Sequence, residues 1–345
     1  MKSIKKYATI LLGIFLFVSC EKDIVFKGDI TDPLVVVNSY ITPDSIISAH
    51  VSESRFFLND TTSFKEISNA EVSVLVNGTF KENMTYSENG IYLGTYKPVI
   101  GETIKLVVKV PSKKDVSCEA IINPKPDILS LDTTDIWTGE SYQINYGSYS
   151  IDGGPAVITN DTVAIVKGHQ INYTLKFKDN GSEKNYYRLV VITKETYVTI
   201  NKMTNDTITE LRDNYYYNFT DVVSGNNTNN DPLSIVGNST NNLYNVFSDE
   251  LFNGKTYSLS FVTNEDVYTY KPGYLYGPET PVKQTVNIFL QSISKDYYLY
   301  LKSRPVATAG TDFFSEAVQI HTNIAGGIGI LGSYTSGNVI KIELK

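Results

Sequence analysis

Apolar and polar residues alternate along most of this chain with a period of two, the period of a strand that buries one face. Between Pro33 and Pro124 the alternation comes in short runs separated by turn chemistry. Leu34-Val35-Val36-Val37 is a β-branched run, and Ser48-Ala49-His50-Val51-Ser52 alternates. Residues 70–76 alternate and end on Asn77-Gly78, a hairpin signal. Asn89-Gly90 precedes Ile91-Tyr92-Leu93, and runs at 104–110 and 116–122 complete the set. Short strands at close spacing without a helical pattern predict an immunoglobulin-like β-sandwich over residues 33–123.

Pro124-Lys125-Pro126 marks a boundary, and residues 124–345 continue as a larger β-rich domain. Strands are expected at 171–177, 186–193, 256–262 and 286–290. Asp179-Asn180-Gly181-Ser182-Glu183 reads as a hairpin turn between the first two, and the Asn- and Thr-rich stretch 201–245 as long loops. One short helix is predicted where Ile293, Tyr297, Tyr300 and Leu301 recur at helical spacing. Ser292 or Ser294 can cap it, Asp296 sits in its first turn, and Pro305 is expected to stop it. The fold class expected is all-β, with an N-terminal immunoglobulin-like β-sandwich, a β-rich C-terminal domain and that helix.

The first residues break the pattern. Lys2, Lys5 and Lys6 are followed by an apolar run from Tyr7 to Val18, of signal-peptide length and too short for a membrane span. Ser19-Cys20 then resembles a bacterial lipobox. Residues 1–19 are expected to be a lipoprotein signal peptide, Cys20 the lipidated N-terminus, and residues 20–32 a charged tether.

Of the 345 residues, 41% are hydrophobic and 12% aromatic, enough to build packed cores. Losing a signal with three lysines and no acids takes the net charge from -7 to -10, which argues against non-specific nucleic-acid binding. With Cys20 reserved for lipid, Cys118 has no second cysteine to pair with, and its parity among apolar neighbours makes it a buried small hydrophobe.

Candidate chemistry is sparse. His50, His169 and His321 are far apart and form no H-E-x-x-H or Cys/His cluster, so no metal site is expected. Gly327-Ile328-Gly329-Ile330-Leu331-Gly332 has the spacing of a dinucleotide fingerprint but is followed by turn and strand residues rather than a helix. It reads instead as a segment where backbones approach closely, feeding a last strand at 339–344. No catalytic residues and no cofactor are expected. The segment of most interest is Tyr268-Thr269-Tyr270-Lys271-Pro272-Gly273-Tyr274-Leu275-Tyr276. Tyr268 and Tyr270 share a face of one arm of a turn, and Tyr274 and Tyr276 share a face of the other. They are candidate partner anchors, with packing on the domain's own core as the alternative.

Several segments together resemble a known family. They are Cys20-Glu21-Lys22-Asp23, Pro33-Leu34-Val35-Val36-Val37-Asn38, Asn69-Ala70-Glu71-Val72, Asn89-Gly90-Ile91-Tyr92, Phe313-Phe314-Ser315-Glu316-Ala317-Val318 and Asn323-Ile324-Ala325-Gly326-Gly327-Ile328-Gly329-Ile330. In this order and spacing the chain resembles the Bacteroidetes outer-membrane lipoprotein family known as domain of unknown function 4249. The resemblance implies a lipid-anchored outer-membrane protein, often encoded beside a TonB-dependent transporter, and no catalytic residues. Cys20-Glu21-Lys22-Asp23 is similar to the export signal that sends lipoproteins of this phylum to the cell surface. Ser45, Thr61, Thr133, Thr162 and Thr207 each follow Asp in triplets resembling the phylum's O-glycosylation motif, in segments that read as turns. The function expected is a non-enzymatic surface accessory of a TonB-dependent transporter, capturing a ligand or gating it. The alternative is a structural or adhesive surface lipoprotein.

Overall fold

The computed structural model describes residues 32–55, 65–149, 157–200, 207–224, 242–270, 283–309 and 319–344. Leu34–Ser54 and Thr62–Lys345 form one compact unit, and the structure below is that of this unit.

The N-terminal sandwich packs two sheets. One contains β1 (Val35–Ile41), β2 (Ser48–Glu53), β5 (Thr85–Tyr86) and β6 (Ile91–Leu93). The other has the order β4-β3-β7-β8, from β3 (Glu71–Val76), β4 (Thr79–Asn83), β7 (Thr103–Lys109) and β8 (Val116–Ile121). Alternate residues point inward, so Val35, Val37 and Ile41 meet Val72, Val74, Ile104, Leu106 and Val108 in one core. Cys118 lies in this core, as expected. Asn77 (φ 50°) and Gly78 (φ 79°) form the two-residue turn between β3 and β4, in the left-handed conformation that hairpin requires.

The C-terminal region builds a second sandwich. Its first sheet is three-stranded, in the order β14-β10-β9: β9 (Asp127–Tyr149), β10 (Val157–Lys178) and β14 (Thr256–Tyr270). Facing it are β11 (Tyr186–Ile200), β12 (Thr207–Asn214), β13 (Val246–Ser248), β15 (Lys283–Ile293) and β17 (Ile340–Leu344). Ile171, Tyr173, Leu175, Phe177, Leu259 and Phe261 pack on Tyr187, Leu189, Val191, Val286, Ile288 and Leu290. The fold is thus all-β, with α1 (Lys295–Ala309) as its one α-helix among the described residues.

One sheet runs across the Pro124 boundary. β16 (Ile328–Ser336) lies parallel to β1, with Val37 opposite Gly329, and antiparallel to the end of β15. The ten-stranded sheet therefore reads β12-β11-β15-β16-β1-β2-β6-β5, with β13 and β17 beside its path. Ile324 and Leu331 join the N-terminal core from this returning segment. The glycines permit the pairing. A Cβ on Gly327 would lie 2.5 Å from the Val35 carbonyl oxygen, and one on Gly329 (φ 115°) would collide with the Val37 carbonyl. The close backbone approach expected of residues 327–332 is what the structure shows, with no helix following them.

Three local expectations are corrected. Residues 179–183 do not close a hairpin, because β10 and β11 belong to different sheets; the segment is a corner between sandwich layers. The expected loops at 201–245 contain the strand β12, paired with β11 from Thr193 opposite Asn214 to Ile200 opposite Thr207. Pro305 does not stop α1, which continues to Ala309; the ring removes one N–H from the ladder without ending it. Ser294 does start the helix, its carbonyl accepting from the Tyr298 N–H at 3.0 Å. Its hydroxyl instead accepts from the Ser333 N–H at 3.2 Å and ties the helix to β16.

Candidate functional site

Two features stand out, a set of buried carboxylates and a long exposed ribbon. The carboxylates belong to the corners of the second sandwich. Asp179, at the end of β10, accepts the Tyr187 hydroxyl at 2.5 Å and the Gly254 N–H at 2.7 Å. Asp249 accepts the Asn185 N–H at 2.7 Å, and the Asn185 side chain donates to the carbonyls of Asn180 and Glu183. Asp221 accepts the Tyr257 hydroxyl at 2.5 Å and the N–H groups of Val223 and Ser260. All three are buried. Burial first, and then donation to a carboxylate, push the Tyr187 and Tyr257 phenols far above their ordinary range. These groups hold strand ends together, since each carboxylate is occupied by donors of its own fold.

Beside the first of these corners lies an open cleft of about 380 Å³, lined by Pro124, Pro126, Lys178, Asp179, Asn185 and Tyr187 among others. A second, of about 350 Å³, shares Asn185 and is lined by Glu119, Asn123, Tyr186 and Asp296. Their charges are mixed. Among the described residues no group of three His, Cys, Asp or Glu side chains is placed to hold a metal ion. His321 Nε2 meets Asp296 Oδ1 at 2.8 Å, and His50 lies 3.8 Å from Glu66, so these histidines sit in separate pairs.

The ribbon is the three-stranded sheet beyond its core. Among the described residues Ile171 is the core residue of β10 nearest its N-terminus, and the β9–β10 ladder continues from there to Tyr149 opposite Val157. A strand of 22 residues spans about 70 Å, several times an ordinary strand. The face of β9 that packs Leu131 on the core continues outward through Thr133, Asp135 and Trp137. A bulge at Thr138 then shifts the register, so that Glu140 and Tyr142 regain that same face opposite Lys167 and Ile165. Trp137 is 62% exposed and Tyr142 59% exposed. The indole Nε1–H donates to the Gly139 carbonyl at 2.9 Å, and the Tyr142 hydroxyl donates to Glu140 at 3.2 Å, so both rings are held on their own strand. Trp137 is the chain's only tryptophan, and that was the one signal in the sequence pointing to it.

The residues singled out in the sequence are distributed differently. Tyr268 and Tyr270 lie on β14 at the positions opposite Val166 and Ala164, the register set alternate to that of Trp137 and Tyr142. Tyr274, Tyr276 and the turn between the tyrosine pairs lie outside the described residues, as do Cys20 and Thr61. Ser45 is exposed in a turn, as expected. Thr133, Thr162 and Thr207 are not in turns. They lie in β9, β10 and β12, where strand pairing uses the β preference of threonine and overrides the turn preference of the preceding Asp.

An all-β protein with two sandwiches joined through one sheet, and a projecting ribbon carrying exposed aromatics, is the class this structure defines. The family model described as "Domain of unknown function (DUF4249)" matches residues 21–339, and the chain belongs to that family. No curated protein matches it. One similar solved structure comes from work on the promiscuous specificity of carbohydrate-binding modules of the β-sandwich superfamily. It is 8% identical, with 70% of this chain and 97% of that chain covered and a TM-score of 0.17. Another is a putative membrane-anchored protein from Corynebacterium diphtheriae. It is 10% identical, with 90% of this chain and 60% of that chain covered and a TM-score of 0.20.

Proposed function

We propose that this protein is a non-enzymatic lipoprotein of the Bacteroidetes outer membrane, anchored through Cys20 and facing outward, which serves a TonB-dependent transporter by capturing its ligand or gating its mouth. The observation that carries the binding role is the ribbon. A sheet extended far beyond its own core, with a tryptophan and a tyrosine exposed on one face, is built to be covered by something else. The buried carboxylates support a non-catalytic reading, because each accepts from tyrosine or backbone donors that tie strand ends together. The anchor rests on the lipobox-like residues before Cys20, and the transporter partnership on the family resemblance.

Affinity capture of the tagged native protein from solubilised outer membrane tests the partnership directly, with co-purification of a TonB-dependent transporter expected. If none is captured, the adhesive or structural reading replaces it. Cys20→Ala is expected to release the protein or block its maturation, since loss of the acyl chains removes the membrane attachment. Protease added to intact cells is expected to remove the wild-type protein; full protection until lysis would refute outward exposure.

A further inference from the structure

We propose that the cleft beside the Asp179 corner binds a small neutral saccharide, gripped by the Ser292 hydroxyl and the side-chain oxygen of Asn185. This rests on the ligand-capture role above and gives it a place and a chemistry. The cleft holds about 380 Å³, within the roughly 300–1,000 Å³ usual for small-molecule sites. Its walls are already tied. The Thr335 hydroxyl donates to the Pro124 carbonyl at 3.0 Å and holds the segment 124–127 beside the strand ends, while Asp179 joins Tyr187 to Gly254 along the same cleft. A site that needs no rearrangement loses less on binding.

Two lining side chains carry unused hydrogen-bonding atoms although both are almost fully buried. Ser292, 4% exposed, lies on β15 opposite Tyr187, and its hydroxyl bonds to nothing among the described residues. Asn185 is 9% exposed. Its nitrogen donates to the carbonyls of Asn180 and Glu183 and to the Asp249 carboxylate, so its oxygen is the atom turned the other way. No donor among the described residues reaches that oxygen. Neither oxygen is sealed off by protein atoms. A buried polar group without a partner is costly, and a ligand in the cleft offsets that cost for both.

The lining selects the ligand. Lys125 and Lys178 are matched by Asp127 and Asp179, so no net charge favours an anion or a cation. An amide oxygen only accepts, a serine hydroxyl donates and accepts, and the exposed Lys125, Lys178 and Asp127 add both kinds of group. The neutral group that answers all of these is a hydroxyl, and a compact molecule rich in hydroxyls is a saccharide. The corner bonds are not recruited: Asp179 and Asp249 keep their own donors while Ser292 and Asn185 meet the ligand.

Glucose, galactose and lactose serve as probes at millimolar concentration, read by saturation-transfer NMR and titration against the mature full-length chain. At least one is expected to bind, with glucuronate and glucosamine no tighter than glucose. The per-O-methylated form of the bound sugar keeps its frame and acceptors but cannot donate, and is expected to bind at least about tenfold more weakly. Ser292→Ala is expected to weaken binding about fivefold, the loss of one neutral hydrogen bond, at the wild-type melting temperature. The double variant Trp137→Ala, Tyr142→Ala is expected to bind as wild type; a loss there would place the sugar on the ribbon's rings and overturn the proposal. No binding by any neutral probe, equal binding of the methylated sugar, or tighter binding of the acid or the amine overturns it without involving any mutant's folding. A Ser292→Ala variant that melts well below wild type shows the hydroxyl to be structural and overturns it too. Transporter capture is read separately. Sugar binding without capture keeps the cleft and replaces the partner, whereas capture without sugar binding keeps the partner and removes the cleft.

Discussion

Among the described glycines, Gly329→Ala should be the most damaging single-methyl change. Gly329 pairs with Val37 where β16 runs parallel to β1, and that contact joins the C-terminal segment to the first sandwich. A methyl group there would collide with the Val37 carbonyl oxygen, with the carbonyl carbon at 2.8 Å and the backbone nitrogen at 3.0 Å. All three are backbone atoms of a buried strand, so none can swing aside as a side-chain tip would. At φ 115° the residue also occupies a region that disfavours any Cβ. Backbone strain of this kind costs roughly 1–3 kcal/mol, and forced overpacking costs roughly 1–3 kcal/mol. Their sum is about 4 kcal/mol, which for a domain of this order lowers the melting temperature by about 10 °C. Gly78→Ala provides the control, because Gly78 also has positive φ (79°) but its Cβ would meet nothing within 4 Å. Only the conformational term applies there, about 1 kcal/mol. Gly332→Ala should fall between, since its obstacle is the Tyr297 ring, 2.7 Å away. Thermal and urea denaturation of the three variants gives the order directly. A Gly329→Ala variant no less stable than Gly78→Ala would refute the claim that the β1–β16 approach depends on the missing Cβ.

Burial pushes the Cys118 thiol up to about 12, so a disulfide-forming reagent at pH 8 should leave it unreacted in the native chain and modify it promptly in guanidinium. Tyr187→Phe removes a donor from the buried Asp179 and should destabilise the chain by about 2 kcal/mol, read from the urea midpoint. The phenols of Tyr187, Tyr217 and Tyr257 are all raised in the folded state, chiefly by burial. Stability from them is complete below the unfolded phenol value of about 10 and is lost as pH rises above it, so urea midpoints should hold to about pH 9.5 and then fall. Ionisation of these rings, followed near 295 nm, should coincide with unfolding; midpoints unchanged to pH 12 would contradict it. Native protein should be heavier than protein made in a host without the glycosylation pathway, by one or more glycans on Ser45, Thr61, Thr133, Thr162 or Thr207, with identical mass apart from lipid refuting the motif reading.

The first sandwich was legible in the sequence because its longer strands bury one face. Residues 71–76 and 103–109 alternate in composition and again in burial. The ribbon was not legible for the converse reason. Residues 132–138 of β9 are exposed on both faces, so no apolar periodicity marks them, and Asp132-Thr133-Thr134-Asp135 has the composition of a turn. Such a segment becomes a strand only through its ladder with β10, a non-local cause that a local pattern does not carry. The corner at 179–183 was read correctly as a turn and incorrectly as a hairpin. Its chemistry is local, whereas the sheet each flanking strand joins is decided by distant partners, β14 and β9 for one and β15 and β12 for the other. The parallel return of β16 to β1 was equally non-local, but the glycines that allow it were visible.

The distribution of polar groups then separates structure from binding. The buried aspartates are spent on strand ends: Asp179 joins the start of β11 to the turn before β14, and Asp221 joins the segment after β12 to β14 itself. Because their oxygens already accept from tyrosine and backbone donors, recruiting them for a ligand would first break the corners that shape the second sandwich. The ribbon has no such constraint. Beyond Ile171 it adds nothing to the described hydrophobic cores, yet its pairing continues and its rings are positioned by bonds to their own strand. Ordering that much backbone without a core is unfavourable in isolation, since a narrow exposed sheet gains little from burial. Covering Trp137 and Tyr142 would bury apolar surface that the ladder alone leaves in solvent, whereas engaging the corner aspartates would cost bonds that shape the fold.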